Sequence, residues 1–156
     1  MTILVDADAC PVKREITEAA IRRGTRAIFV AGAFLRLPEH PLLKLYVAGE
    51  GFDAADDAIA AVAGPGTVTV TADVPLAARV VARGGAVLTP RGHEFDASNV
   101  GAALADRDLK DALRGGTEGG LQDVGRGPAP FDAAARRRFV DALDRVLTRL
   151  ARVSRS

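Results

Sequence analysis

The sequence contains few of the residues that build disulfides, zinc sites or aromatic surfaces. It has one cysteine, two histidines, one tyrosine and no tryptophan. A single cysteine excludes a disulfide within the chain, and with two histidines it falls short of the four ligands of a structural zinc site. The scarcity of aromatic side chains also leaves little material for base stacking. The lack of a possible disulfide favours a protein of a reducing compartment, which we take to be the cytoplasm.

Neither the charge nor the hydropathy of the chain indicates a membrane. The net charge is +1 over 156 residues, so no global charge predicts binding to nucleic acid or lipid. The N-terminal apolar run reaches an acid at Asp6, which is too early for a signal peptide or a membrane span. The length suits one domain over residues 1–156. We therefore expect no membrane partner, and the oligomeric state stays open.

Short apolar runs alternate with helical patterns over the first 90 residues. Each run is apolar at consecutive positions, as in strands that are covered on both faces. Strands alternating with helices predict a mainly parallel sheet between two helical layers. The fold class is therefore α/β, a Rossmann-like three-layer sandwich with five strands. We place the strands at 3–5, 27–30, 43–47, 67–71 and 86–88.

The pattern changes after residue 90. Residues 115–130 contain six glycines and two prolines, which predicts a mobile loop. A final helix is predicted over 132–152, with Asp132 as its cap, and its apolar residues recur at helical spacing. This apolar stripe is expected to pack on the sheet, and the alternative is a dimer contact through the C-terminal helix.

Acidic residues follow two of the predicted strands and begin one of the helices. Asp6 directly follows the first strand, with Asp8 close behind, and Asp73 directly follows the fourth. Because the carboxyl ends of parallel strands lie at one edge of a sheet, these acids are expected to converge. Crowded carboxylates repel one another unless a cation lies between them, and Mg²⁺ or Mn²⁺ prefers such oxygen ligands. The acids that begin the helix after the third strand are Asp53, Asp56 and Asp57.

Several of these acids also have a structural interpretation. Asp53 suits a helix N-cap, and Asp56 and Asp57 suit the positive first turn of a helix. Asp8 is a candidate cap of the first helix. An acid directly after a buried strand has little structural use, so we interpret the two acids that end the strands as functional.

Other polar residues near this edge have two interpretations each. Arg91 is either a phosphate ligand or part of a structural ion pair, and Lys13 either contacts a phosphate or lies on a solvated face. Thr71 either orients a carboxylate or a water, or simply ends its strand. Cys10 is interpreted as a small apolar group that packs at a helix start. The arginines of the last helix either are solvated or attract RNA.

Several motifs, in this order, resemble those of the bacterial YaiI/YqxD family. They lie at 5–12, 51–57, 71–77 and 90–92, and the segments 107–109 and 127–131 also match. The resemblance covers nearly the whole chain. The family is grouped with PIN-like domains, many of which are metal-dependent ribonucleases, so the resemblance implies a PIN-like sandwich with an acidic Mg²⁺ or Mn²⁺ pocket.

The resemblance also assigns roles to individual acids. Asp6 and Asp73 match the PIN acids that follow strands one and four, and Asp56 or Asp57 matches the middle acid on a helix. The fourth PIN acid has a less clear counterpart. Asp96 lies at a suitable distance beyond Asp73, in an irregular segment.

Three functions follow from these observations. The first is a nuclease in which Asp6, Asp73 and one of Asp56 and Asp57 hold Mg²⁺ or Mn²⁺, Asp8 positions the attacking water, and arginines hold RNA. The second is a phosphatase of the haloacid dehalogenase type, with Asp6 as nucleophile and Asp8 as acid. Against this function, the chain has no serine or threonine after strand two, where that class of enzyme holds the phosphate. The third is an RNA-binding protein that does not cut.

Overall fold

The computed structural model describes residues 1–51, 53–116 and 130–154. Strands and helices alternate along most of the chain. The strands are β1 (Thr2–Asp6), β2 (Arg26–Ala31), β3 (Leu43–Val47), β4 (Thr67–Val70), β5 (Ala86–Leu88) and β6 (Glu94–Phe95). The helices are α1 (Lys13–Arg23), α2 (Ala54–Val62), α3 (Val74–Ala82), α4 (Val100–Gly116) and α5 (Ala133–Ser154).

The strands form one sheet in the order β3-β2-β1-β4-β5-β6. The first five run parallel, and β6 pairs antiparallel with β5. All five predicted strands are confirmed, and the sixth was missed because two residues carry no periodic signal. The chain moves outward from β1 through β2 to β3, then returns to the other side of β1 as β4. The carboxyl ends of β1 and β4 therefore border a topological switch point, where open α/β sheets bind ligands.

One face of the sheet is covered by α1 and α5. Ile3 and Val5 point to this face because alternate residues of a strand share a side. Phe29 of β2 and Phe139 of α5 join them in one buried cluster. The apolar stripe of α5 thus packs on the sheet as predicted, and only the outer face of the helix is left for a dimer contact.

The opposite face is covered by α2, α3 and α4. Leu4 points to this side and packs with Ile59 of α2 and Leu76 of α3. The two buried clusters make the three-layer Rossmann-like sandwich that the strand pattern predicted. No helix among residues 1–51, 53–116 and 130–154 is long and apolar enough to cross a membrane.

Local signals fixed several helix ends. Gly24 ends α1 in the left-handed conformation, at φ 65°, where glycine has no steric cost. Pro75 lies in the first turn of α3, and the Asp132 carboxylate accepts the Ala135 N–H at 2.9 Å at the start of α5. The loop predicted at 115–130 begins too early, because α4 runs to Gly116. The rest of that prediction, over 117–129, lies outside the described residues.

Candidate acidic site at the switch point

Asp6 and Asp73 are linked through the hydroxyl of Thr71. The Thr71 Oγ1 donates to Asp6 Oδ2 at 2.8 Å and accepts the Asp73 N–H at 3.0 Å. Thr71 is buried, so this short chain of hydrogen bonds is shielded from water. The Thr71 oxygen acts as the acceptor toward the Asp73 N–H. Its single hydroxyl proton therefore remains available and is donated to Asp6. Thr71 therefore orients a carboxylate, which was one of its two predicted roles.

Asp73 also has a structural role. Its Oδ1 accepts the Leu76 N–H at 3.0 Å, so the side chain caps α3. The interpretation that an acid directly after a strand has little structural use is therefore wrong for Asp73. The reason is geometric: a short loop places the residue that ends β4 at the first turn of the next helix, where N–H groups lack partners.

Asp8 fixes the loop that follows β2 instead of capping α1. Its two carboxylate oxygens accept the Gly32 N–H at 3.2 and 3.0 Å. The N-cap of α1 is Val12, which has no side-chain cap, so the capping interpretation of Asp8 is wrong. Asp8 instead ties the ends of two neighbouring strands together.

A cavity of about 580 Å³ opens beside Asp6, with walls from the loops after β1, β2 and β3 and from the start of α2. We call it the acidic cavity, because its lining includes five carboxylates. Glu50 was missed in the sequence, although it follows β3 at the same sheet edge between Gly49 and Gly51. The five acids are Asp6, Asp8, Glu50, Asp53 and Asp56.

Burial and neighbouring acids raise the pKa of Asp6 and of Asp56. Burial raises the pKa of Asp6 above its ordinary value of 3.8 despite the opposing Thr71 hydrogen bond, and the charges of Asp73 and Asp8 raise it further. The pKa of Asp56 rises to about 6, first through burial and then through Asp73, Asp6 and Asp53. Acids that are distant in sequence therefore share one electrostatic environment.

The first residues of α2 divide into two groups. Asp57 lies away from the acidic cavity, where its Oδ1 accepts a bond from the Arg79 guanidinium at 2.9 Å and both side chains are exposed. Asp53 occupies the N-cap position at φ 65°, but its side chain forms no capping bond. The prediction that Asp53 is the N-cap is therefore confirmed for its position but not for a side-chain bond, and Asp53 lines the cavity. Of the two acids that were candidates for the middle PIN position, only Asp56 lies in the cavity.

The donor set has the chemistry that Mg²⁺ and Mn²⁺ prefer, but it is not a closed cluster. In the part of the chain that the structure describes, no three acidic, histidine or cysteine side chains are gathered tightly enough to form a metal site. Thr71 engages one oxygen of Asp6, and the α3 cap engages one oxygen of Asp73. Each carboxylate therefore keeps a second oxygen. The ion pairs found among the described residues involve other acids, namely Glu15, Glu18, Asp57, Glu94, Asp106 and Asp144.

The predicted phosphate ligands lie outside the acidic cavity. The Lys13 ammonium donates to the carbonyls of Ala7 and Cys10 at 3.2 and 2.8 Å, so it closes the β1–α1 loop. The Arg91 guanidinium lies over the Phe131 ring, 5.4 Å from its centroid. Cys10 is buried as predicted, and burial raises the pKa of its thiol.

Asp96 organises the start of α4. Its Oδ1 accepts the Ser98 N–H at 2.8 Å and also the Ser98 hydroxyl, and its carbonyl accepts the Val100 N–H. The Ser98 hydrogen bonds lower the pKa of this exposed carboxyl. Asp96 does not line the acidic cavity.

Comparisons with known proteins agree on one family. A family model described as "Uncharacterized BCR, YaiI/YqxD family" matches residues 4–149. A UPF0178 protein of Rhodopseudomonas palustris (strain BisB5) is 49% identical over 96% of this chain and 88% of its own length. A UPF0178 protein of Sphingopyxis alaskensis is 47% identical over 96% of this chain and 95% of its own. No solved structure matches the chain. The protein thus belongs to the bacterial YaiI/YqxD family.

Proposed function

We propose that this protein is a metal-dependent hydrolase that cuts a phosphodiester bond in RNA. Mg²⁺ or Mn²⁺ would be held by Asp6, Asp56 and Asp73. The observation that carries the proposal is their shared electrostatic environment at the switch point, where the charge of Asp73 raises the pKa of both Asp6 and Asp56 and the neighbouring Arg79 pairs with Asp57 instead. A divalent cation relieves that repulsion.

The cation would supply a bound water of lowered pKa and would neutralise charge on the phosphate. The chain's own residues do the positioning. Thr71 holds the Asp6 carboxylate through its hydroxyl, and the first turn of α3 holds Asp73. The Gly32 N–H fixes Asp8 at the wall of the acidic cavity. There Asp8 would accept a hydrogen bond from the attacking water and so orient it.

The phosphatase alternative has less support. It requires Asp8 to donate a proton to the leaving group, but both of its carboxylate oxygens accept the Gly32 N–H. The strand β2 ends at Ala31 and is followed by Gly32, so no hydroxyl group lies where that class of enzyme holds phosphate.

The test uses a fluorescent single-stranded RNA with Mn²⁺ or Mg²⁺. We expect cleavage by the wild-type protein, and losses of at least about 100-fold in Asp6→Asn and Asp56→Asn, because even residues that support a metal ligand typically contribute 10–100-fold. Asp57→Asn is the matched control. It removes a carboxylate next to Asp56 that pairs with Arg79 outside the cavity, so most activity should remain.

Metal binding is measured separately by thermal unfolding. Mn²⁺ should raise the Tm of the wild-type protein, since a ligand of the folded state stabilises it, and should raise that of Asp56→Asn much less. The proposal is wrong if Mn²⁺ leaves the wild-type Tm unchanged and no RNA is cut. RNA binding that persists in chelator without cleavage would instead identify the non-catalytic alternative.

A further inference from the structure

A second cavity lies on the other side of the loops that carry the acids. It has a volume of about 440 Å³, within the range of small-ligand pockets. We call it the proline–phenylalanine cavity after the four rings in its wall. These are the rings of Pro11, Pro90, Phe95 and Phe131.

This cavity adjoins the acidic site through two small residues. Ala9 lies next to Asp8, and Ala72 lies between Thr71 and Asp73; both alanines line the second cavity and are exposed. Consecutive Cα atoms are about 3.8 Å apart. A ligand in the second cavity is thus separated from Asp73 by little more than the width of a loop.

The wall of the proline–phenylalanine cavity differs from that of the acidic cavity in charge and shape. Among the described residues that line it, none is acidic, and the charged one is Arg91. The Arg91 guanidinium lies over Phe131, 5.4 Å from the ring centroid, and the Arg136 guanidinium lies 5.0 Å from the same centroid. Arg91 brings positive charge to the wall of the apolar slot. Thr89 adds a hydroxyl that accepts the His93 N–H at 3.1 Å, which leaves its proton available to a ligand acceptor.

Flat apolar walls, one hydroxyl donor and one cation match an unpaired nucleobase that is joined to a phosphate. A base within a duplex is stacked and paired on its edges, so it does not enter such a slot. A single-stranded base can be splayed out to stack on aromatic and arginine side chains.

We propose that the proline–phenylalanine cavity is a nucleobase subsite. It takes the base of a nucleotide whose adjacent phosphodiester lies at Asp6 and Asp73. The inference rests on the proposed nuclease function and deepens it, because it makes the substrate single-stranded and gives the enzyme a point of contact with the base. Arg91 contacts the backbone of the same nucleotide.

The direct test removes bases from the RNA. A set of oligonucleotides of one sequence, each with a single abasic position, is bound to the wild-type protein with and without Mn²⁺. We expect one position, next to the cleavage site, at which loss of the base weakens binding about 10-fold, the order found for a stacked base. Equal binding of every abasic oligonucleotide and the intact strand overturns the subsite.

Protein variants locate the contact. Phe131→Ala should weaken binding of the intact strand about 10-fold and bind the critical abasic strand no worse than the wild type does. Phe131→Tyr keeps the ring and should restore binding. Phe34→Ala is the matched control, since Phe34 is 78% exposed and lies outside this cavity. An equal loss of RNA binding in Phe34→Ala and Phe131→Ala would show nonspecific binding to exposed aromatic side chains and would overturn the subsite.

The experiments give different results depending on which proposal is wrong, the nucleobase subsite or the nuclease function. If the nuclease is correct and the subsite is not, RNA is cut in Mn²⁺ at rates that no abasic position changes. If the subsite is correct and the nuclease is not, adenosine 5′-monophosphate shifts the amide NMR signals of Ala9, Ala72 and Thr89 without metal. Ribose 5-phosphate, which lacks the base, should leave these signals unchanged.

Discussion

At the scale of single residues, Thr71 orients the Asp6 carboxylate without neutralising its charge. Its hydroxyl gives Asp6 one hydrogen bond at 2.8 Å, which favours the ionised form. Burial and the charges of Asp73 and Asp8 outweigh that bond and raise the pKa of Asp6. The Asp6 carboxylate is held in one orientation, and its negative charge is electrostatically unfavourable in that position. Such a group gains more from a cation than a freely hydrated one.

Asp56→Asn should stabilise the protein near neutral pH when no metal is added. The pKa of Asp56 is about 6 in the folded protein, against 3.8 ordinarily, so the folded state binds this proton more tightly than the unfolded state does. The wild-type protein therefore loses stability as the pH rises from about 4 through 6. The expected gain at pH 7.5 is about 1 kcal/mol, less than for a fully buried group because water screens the charge.

Urea unfolding at pH 4 and at pH 7.5 measures this effect. The advantage of Asp56→Asn should be present at pH 7.5 and vanish near pH 4, where the wild-type carboxyl is protonated. Asp57→Asn removes an exposed ion pair with Arg79 and should change the stability by less than about 0.5 kcal/mol. An Asp56→Asn protein that is less stable than the wild type at pH 7.5 would contradict the mutual repulsion of these acids.

The sequence predicted that Asp6, Asp8 and Asp56 lie at one edge of the sheet, but it missed Glu50 and the partners of the individual acids. Asp8 bonds to the Gly32 N–H, 24 positions away, and Asp57 pairs with Arg79, 22 positions away. Such contacts depend on how loops and helices align across the sheet, which no local pattern encodes. The arrangement at the end of each strand was predictable, because parallel topology alone brings those ends to one edge.

At the scale of elements, Asp73 caps a helix and is also a ligand in the proposed metal site. Asp73→Asn should be at least as stable as the wild type, since asparagine is as good an N-cap as aspartate and loss of the Asp73 charge relieves its repulsion of Asp6 and Asp56. It should nevertheless lose the cleavage and the Mn²⁺-induced rise in Tm. Asp73→Ala loses the acceptor for the Leu76 N–H and should also be less stable by about 1 kcal/mol. Thermal unfolding and the RNA assay on both variants separate the two roles. If both variants lose stability equally, the cap depends on the charge of Asp73, and these variants do not separate its capping role from its proposed metal-binding role.

Elements with a strong local signal were predictable, and weakly marked ones were not. Gly24, Pro75 and Asp132 fixed helix ends because each acts within one turn of its own helix. The strand β6 exists because Val87 and Leu88 of β5 pair with Phe95 and Glu94. Two residues cannot display a strand period, so only the partner strand reveals β6.

At the scale of the whole molecule, the site depends on the order of strands. Because β1 lies between β2 and β4, the loop after β1 borders both halves of the sheet. It contributes Asp6 and Asp8 to the acidic cavity, and Ala9 and Pro11 to the proline–phenylalanine cavity. The C-terminal part of the chain completes the second cavity with Phe131, just before α5. The two cavities are therefore products of the complete sandwich and not of one local motif.

Both sides of the sandwich should unfold together as the single domain predicted from the sequence. Phe139 of α5 and Ile59 of α2 are fully buried on opposite faces of the sheet. Replacing either with alanine leaves a cavity, and we expect losses of about 3–5 kcal/mol for Phe139→Ala and about 2–5 kcal/mol for Ile59→Ala. Val62→Ala is the control on α2, since Val62 is 59% exposed and its loss should change the stability by less than about 0.5 kcal/mol.

Urea unfolding followed by far-UV circular dichroism, together with native-state hydrogen exchange, distinguishes one unit from two. Each buried substitution should lower the midpoint of one transition and reduce protection on both faces, because β1, β2 and β5 contribute residues to both buried clusters. If Phe139→Ala exposed α5 to exchange while the sheet and α2 kept their wild-type protection, α5 would be an independently stable layer. In that case the proline–phenylalanine cavity, whose wall includes Phe131, would open without unfolding the acidic cavity, and binding of the base would be uncoupled from the stability of the metal site.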